Sequence, residues 1–361
     1  MRSNGHLLLA SLLAATLAPT SLAQVQVELT RLEGLLTLSA SPNARWVSGV
    51  QLRQGPNDQA TFRWSTASGL ESIAFNPPFF YPTDLSADGK AVLTTLTSLS
   101  GDLAGAIWTP TGTTPVPGLG GALGGVESGV LAITPDAGLV AGFGWTTDDA
   151  PLSQRGFLWS PSAGHVTLDS PDGHPSVARD LSDDGTVVVG YDQPGGVPPW
   201  RMLRWVSGVP SVLADDAQPT ALSADGEHLT GSGGNQAIRW SAADGLSTLE
   251  QLPVAPGARS SSSGLAISDD GATIVGQQTV LEPGSIEAQV RWFVWREGHG
   301  TTELRALLAA LGADEFAGFS TITVQDLSAD GRTLVGSAGK ADRPADDWLW
   351  RARLPVSSVG D

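Results

Sequence analysis

The hexapeptide "DLSADG" runs from Asp84 to Gly89 and returns letter for letter from Asp326 to Gly331, with "DLSDDG" from Asp180 to Gly185 between them. Its end carries the chemistry of a tight hairpin. An Asp side chain accepts hydrogen bonds from backbone N–H groups just ahead of it, and Gly takes the positive φ such a turn needs. Aligning on the hydroxyl residue finds seven copies, at Ser41, Ser86, Thr134, Ser182, Ser223, Ser268 and Ser328. Two residues on stands Asn43 or, in every other copy, an Asp; Gly follows in five copies and Ala44 or Ala137 in the remaining two. An aliphatic residue always comes six after the anchor, and Gly eight after it in six copies, with Thr94 the exception.

Each copy then reaches a short apolar segment closing on Trp64, Trp108, Trp159, Trp205, Trp240, Trp295 or Trp350, which absorbs seven of the twelve Trp. The anchors are spaced by 45, 48, 48, 41, 45 and 60 residues, the length of one four-stranded propeller blade or a little more. One repeat reads as a strand ending in "DLS", the Asx-Gly turn, a strand such as "TVVVG", a variable loop, the Trp strand, a second turn such as "SPSAG", and an edge strand such as "HVTL". Alternation and β-branched content favour strands throughout.

Seven such units predict an all-β fold, a seven-bladed β-propeller. An open β-solenoid is the other architecture such repeats can build, and the chain ends argue against it. The seventh copy stops at "WLWRARLP" without a fourth strand, while "VQVELTRL" (Val25 to Leu32) stands ahead of the first copy with no repeat of its own. The spare N-terminal strand is expected to complete the last blade and so remove an unpaired edge. The propeller is expected over 24–355, with 356–361 a short tail.

The longest spacing contains "TELRALLAALGADEF", where Leu304, Leu307, Leu308 and Leu311 fall on one helical face between Thr302 as N-cap and Gly312. A short helix over 302–311 is predicted between blades six and seven. It is either a lid over one end of the channel or, the favoured reading, a plug over apolar surface near the closure.

Residues 1–23 read as a secretory signal: Arg2, an apolar run from Leu7 to Leu17, and small Ser21 and Ala23 ahead of cleavage after Ala23. No later apolar stretch is long enough to span a membrane. Zero Cys rules out a lipoprotein anchor, disulfides and thiolate chemistry, so packing alone must stabilise an exported protein. The formal charge is −17, and such a surface repels phosphate backbones and anionic membranes. The expectation is a secreted monomer, extracellular or periplasmic, with an unknown extracellular ligand or protein partner, no nucleic acid and no membrane span.

The "LSxDGxxxVG" unit followed by "xxLW", the "TELRALLAALGADEF" segment and the "WLWRARLP" ending resemble the bacterial extracellular HAF-repeat proteins over nearly all of the mature chain. That resemblance implies secretion and a repeat propeller, and no assigned activity. The chain departs from the family in having no His-Ala-Phe tripeptide and no C-terminal sorting tail. A looser similarity to WD-repeat and Tol-type propellers supports the architecture alone.

No catalytic, cofactor-binding or metal-ligating residue emerges. An EF-hand loop needs alternating oxygen ligands and a late Glu, whereas "DLSADGKAVLT" offers Asp84 and Asp88 and no Glu. The first Asp is replaced by Ala132, Ala221 and Ala266 in other copies, so backbone-bonded turns are expected. His165, His174, His228 and His299 form no zinc motif, and no Gly-x-Ser-x-Gly elbow occurs. "SSSSG" (Ser260 to Gly264) reads as a linker between blades.

Paired acids at Asp148 and Asp149, Asp215 and Asp216, and Asp346 and Asp347 are expected to be solvated loop charge, with Ca²⁺ the one cofactor they leave open. The repeat Trp residues are expected to pack between blades; Trp145, Trp200 and Trp292, in or near loops, are where a ligand would stack. The leading expectation is a non-catalytic extracellular binding or interaction module. The alternatives are a propeller hydrolase or lyase acting on an extracellular polymer, and a structural envelope component.

Overall fold

The computed structural model describes residues 25–32, 35–52, 59–73, 80–97, 103–120, 128–146, 153–195, 198–340 and 343–355. The proposed signal, the tail and the Asp148–Asp149 pair lie outside the described residues. Seven antiparallel sheets follow one another along the chain, each a consecutive four-stranded meander from one through six, over 35–73, 80–116, 128–168, 176–215, 217–248 and 259–303. The seventh differs in two ways. Its innermost strand is broken into Thr321–Ile322 and Asp326–Leu327, and its outermost strand is Gln26–Arg31 from the chain's beginning.

That N-terminal strand runs antiparallel to Arg343–Arg353 in the register Gln26↔Arg353 to Arg31↔Trp348. The fold is thus a seven-bladed propeller whose chain ends join within one blade, so that Arg343–Arg353 is paired along both of its edges. "LESI" and "HVTL" form the outer strands Gly69–Ile73 and Gly164–Leu168.

The repeated Gly eight residues after the anchor has a steric cause. A Cβ at Gly142, Gly190, Gly231 or Gly336 would collide with the carbonyl oxygen of Gly129, Val177, Gln218 or Thr323 on the adjacent innermost strand. The innermost strands of blades three to six carry a β-bulge three residues before the anchor, at Leu131, Arg179, Thr220 and Leu265. A bulge kinks its strand and re-aims a side chain. Here it delivers the bulged residue to the central channel.

Three sequence expectations need correction. The helix α1 spans Leu304–Ala310 and is N-capped by Glu303, because Thr302 is still paired with Val294 in the outer strand of blade six. It packs through Leu304, Leu307 and Leu308 into the cluster that holds Val25, Trp350 and Ala352, and none of its residues lines the channel, so it plugs the closure. The serine run is no linker: Arg259–Ile267 is the nine-residue innermost strand of blade six, paired from Arg259↔Leu281 to Ile267↔Ile274. Its backbone makes the ladder while only alternate side chains need burial. Trp145 and Trp292 also lie within strands, Trp145 edge-on to Phe143 and Trp292 against the closure cluster.

Candidate functional site

The anchor turn is built identically seven times. The anchor hydroxyl donates to the Asx side chain two residues on at 2.5–3.0 Å. The same Asx oxygen accepts a backbone N–H two residues further at 2.8–3.0 Å. This second Asp is the turn residue the sequence predicted. The Lys90 N–H, joined by its ammonium, draws Asp88 down to about 2.

The first Asp of the hexapeptide plays a different part. Asp84, Asp180 and Asp326 face a central cavity of about 510 Å³ to which every blade contributes. In each, Oδ1 accepts the N–H of its own next residue, Leu85, Leu181 or Leu327, at 2.7–2.8 Å. Oδ2 reaches across to the following blade and accepts the N–H of Ile133 at 2.9 Å, Leu222 at 2.7 Å or Ala40 at 2.7 Å.

Blades two, four and seven thereby bond to blades three, five and one. The first two of those N–H-donating blades carry Ala132 and Ala221 where the accepting blades carry Asp. The Asp-to-Ala alternation in the sequence is the trace of this pairing, a signal visible there but unreadable without knowing that neighbours share one carboxylate. Burial pushes all three upward against those hydrogen bonds, Asp84 well above its usual range, Asp180 to about 7 and Asp326 to about 6.

At the turn end, the residue after each anchor continues the stitching. The N–H groups of Ala87, Asp183, Asp269 and Ala329 donate to the carbonyls of Pro135, Ala224, Ala329 and Pro42 at 2.7–2.9 Å. Pro42 has no N–H to give, and there the Asn43 amide donates to Ala87 O instead, at 3.0 Å. Asp183 and Asp269 line the same mouth and are raised first by burial, Asp183 also by the charge of Asp269 and Asp269 by those of Asp225, Asp270 and Asp330. Some polar groups among the described channel residues are uncommitted. Arg179 is exposed and forms no ion pair or hydrogen bond through its side chain, and Gln325 Oε1 is buried without a partner.

The repeat Trp residues are blade-to-blade packing. Trp64, Trp159, Trp205 and Trp350 are buried. Trp108, Trp240 and Trp295 are less enclosed, and each lies under an Arg of the preceding blade, Arg63, Arg204 or Arg239, at 5.1–5.8 Å. The same guanidinium groups donate to the turn carbonyls of Gly89, Gly226 and Gly271. A cation over an indole face gains electrostatic attraction as well as contact area.

Among the described residues no His, Asp and Glu cluster is arranged for a metal ion. His165 is edge-on to Phe157 and lowered by burial. The remaining acid pairs do not meet: Asp215 ends a strand of blade four with Asp216 just beyond it, whereas Asp346 and Asp347 belong to the seam strand of blade seven.

A second cavity, of about 320 Å³, opens at the end away from the anchor turns, between blades five and six, with Trp200 on its wall. Of Trp145, Trp200 and Trp292, only Trp200 borders a described cavity.

The architecture recurs in solved structures. The β-propeller domain of the Trilobed protease from Pyrococcus furiosus, described as having an open velcro topology, superposes with a TM-score of 0.54 at 11% identity over 91% of this chain and 97% of that one. TolB from Acinetobacter baumannii gives 0.43 at 18% identity over 58% of this chain, which spans about half (52%) of that protein's length. A chain of the Mitotic Checkpoint Complex gives 0.47 at 14% identity over 98% and 99%. No protein-family model and no curated protein sequence matches the chain. At these identities the likeness is one of fold, and the seam pairing of Gln26–Arg31 with Arg343–Arg353 is read from this chain's own register.

Proposed function

We propose that the chain is an exported, non-catalytic propeller that binds an extracellular ligand. The observation that carries this reading is the commitment of the three channel carboxylates that open the hexapeptides: Asp84, Asp180 and Asp326 each spend both oxygens on backbone N–H groups of two blades. An acid–base pair for polymer cleavage needs carboxyl groups free to exchange protons with substrate, about 5 to 9 Å apart for a glycosidic bond. The leader-like N-terminus and the resemblance to extracellular HAF-repeat proteins support placement outside the cytoplasm.

A hydrolase or lyase and a purely structural envelope protein are the competing readings. Incubating the purified mature protein with a panel of glycans and cell-wall polymers, with and without Ca²⁺, separates the three. Retention of a polymer without product is the expected result. New reducing ends or unsaturated products would overturn the binding reading in favour of an enzyme, and failure to retain any ligand would favour the structural one.

A further inference from the structure

The cleft between blades five and six deepens that reading, on which it rests, by supplying a site and a ligand class. The first two strands of blade six, Arg259–Ile267 and Thr273–Leu281, are nine residues each, against six for Ala217–Leu222 and His228–Gly233 in blade five. Blade six therefore overhangs its neighbour at the end away from the anchor turns. On the overhang the directly opposed pairs Ser261↔Thr279 and Ser263↔Gln277 place four polar side chains on one face. Gln218 and Ser232 are opposed in the same way in blade five, and both border the cleft.

What distinguishes this cleft from an ordinary surface recess is how much of its polar capacity is unspent. Gln218, Asn235, Gln277, Ser261 and Thr279 all line it, and none of their side chains is hydrogen-bonded within the protein. The neighbours just behind are fully engaged: buried Gln278 holds both the N–H and the carbonyl of Leu252, and Ser262 accepts from the Ala237 N–H. The free groups are amides and hydroxyls, which between them both donate and accept.

Trp200 is held rather than loose. Its carbonyl accepts the Ala217 N–H at 3.2 Å, its ring leans on Tyr191 at 5.5 Å, and the adjacent Arg201 forks onto buried Asp192 at 2.6 and 3.0 Å. A platform fixed by its surroundings costs little ordering on binding. Among the described residues Asp216 is the one charged residue lining the cleft.

We infer that this cleft binds a neutral sugar ring within a glycan. An indole offers a flat apolar surface for the C–H face of a pyranose, and free amides and hydroxyls match its hydroxyl groups. One carboxylate can accept from a pair of them, and the absence of a cation among the lining residues disfavours uronic acids and phosphates. At about 320 Å³ the cleft is at the small end of the range of about 300 to 1,000 Å³ for ligand sites, suited to one or two rings of a longer chain.

The test uses cellohexaose and maltohexaose as neutral probes and polygalacturonate as the anionic control, read by titration calorimetry and intrinsic fluorescence on the intact mature protein. Wild-type protein is expected to bind a neutral hexamer in preference to polygalacturonate. Trp200→Ala is expected to weaken binding about tenfold or more, and Gln277→Ala by about threefold to tenfold, both with an unchanged unfolding midpoint. Asp326→Ala, in the channel, should bind as wild type does.

No binding of either neutral hexamer overturns the inference. So does a preference for polygalacturonate. Binding that Trp200→Ala leaves intact overturns this site while leaving the binding function standing, whereas release of shorter oligosaccharides overturns the binding function whatever the site.

Discussion

Gly89 and Ala137 occupy the same step of the same turn, with φ of 66° and 60°. Left-handed backbone disfavours any residue with a Cβ by about 1 to 2 kcal/mol, so the difference between the two copies has a local cause. A Cβ at Gly89 would run into the indole of Trp46, as one at Gly185 would meet Leu139 and one at Gly226 Val187, each contributed by the preceding blade. For Ala137 the equivalent residue of the preceding blade is Ala91, and the two share one cluster. Gly89→Ala is therefore expected to lose about 2 to 4 kcal/mol, strain and overpacking together, while Ala137→Gly stays within about 1 kcal/mol of wild type. Denaturant unfolding measures both, and equal losses would contradict the explanation.

The channel carboxylates make the residue scale pH-sensitive as well. A carboxyl whose folded pKa is raised binds its proton more tightly in the folded chain. Its contribution is full below the unfolded value near 3.8 and is lost as pH rises through about 6 for Asp326 and about 7 for Asp180. The turn acids act oppositely. Asp88, drawn down to about 2, contributes above 3.8 and loses that contribution as pH falls toward 2. The unfolding midpoint should fall between pH 4 and pH 8, and Asp180→Asn should flatten that decline. A slope unchanged by the substitution would show that burial does not govern Asp180.

At the scale of elements, the seam is the most exposed claim. Gln26 and Arg353 are opposed and exposed in the antiparallel pair, and opposed Cα atoms lie about 4.5 to 5.5 Å apart, within disulfide range. With no native Cys, the double variant Gln26→Cys/Arg353→Cys should oxidise within one chain and gain about 2 to 4 kcal/mol. Non-reducing electrophoresis that showed only cross-linked dimers would contradict the seam.

This closure was legible in the sequence because each defect is local: a Trp strand with no successor, and a strand with no repeat. The serine strand of blade six was not legible. Serine favours turns through its own backbone hydrogen bonds, and only the neighbouring strand shows that the ladder wins. The bulges were hidden too, since a bulge changes pairing without leaving a residue type behind. With them went the channel position of Arg179, and hidden likewise were that of Gln325, in the break of its strand, and the cleft, whose walls come from several separate segments.

Across the whole molecule, packing, turns and carboxylate bridges act between neighbours around a ring that the chain ends close. A net charge of −17 is spread over the full chain, yet Asp84, Asp180 and Asp326 point into the channel and hold blades together. The cleft proposed to bind lies at the opposite end, where polar side chains are free. The structural and the functional carboxylates are thus separable by substitution.

Ala is sterically at home in the channel, since Ala132, Ala221 and Ala266 already occupy that position in three blades. The triple variant Asp84→Ala/Asp180→Ala/Asp326→Ala, compared with wild type at pH 5 for both thermal unfolding and retention of a neutral glucose hexamer, joins the two halves. Leaving buried N–H groups without acceptors costs about 1 to 3 kcal/mol each, so the midpoint should drop by about 5 °C or more with oligosaccharide affinity unchanged below it. An unchanged midpoint with binding or turnover abolished would mean that the channel carboxylates are the functional groups and the blades stand without them.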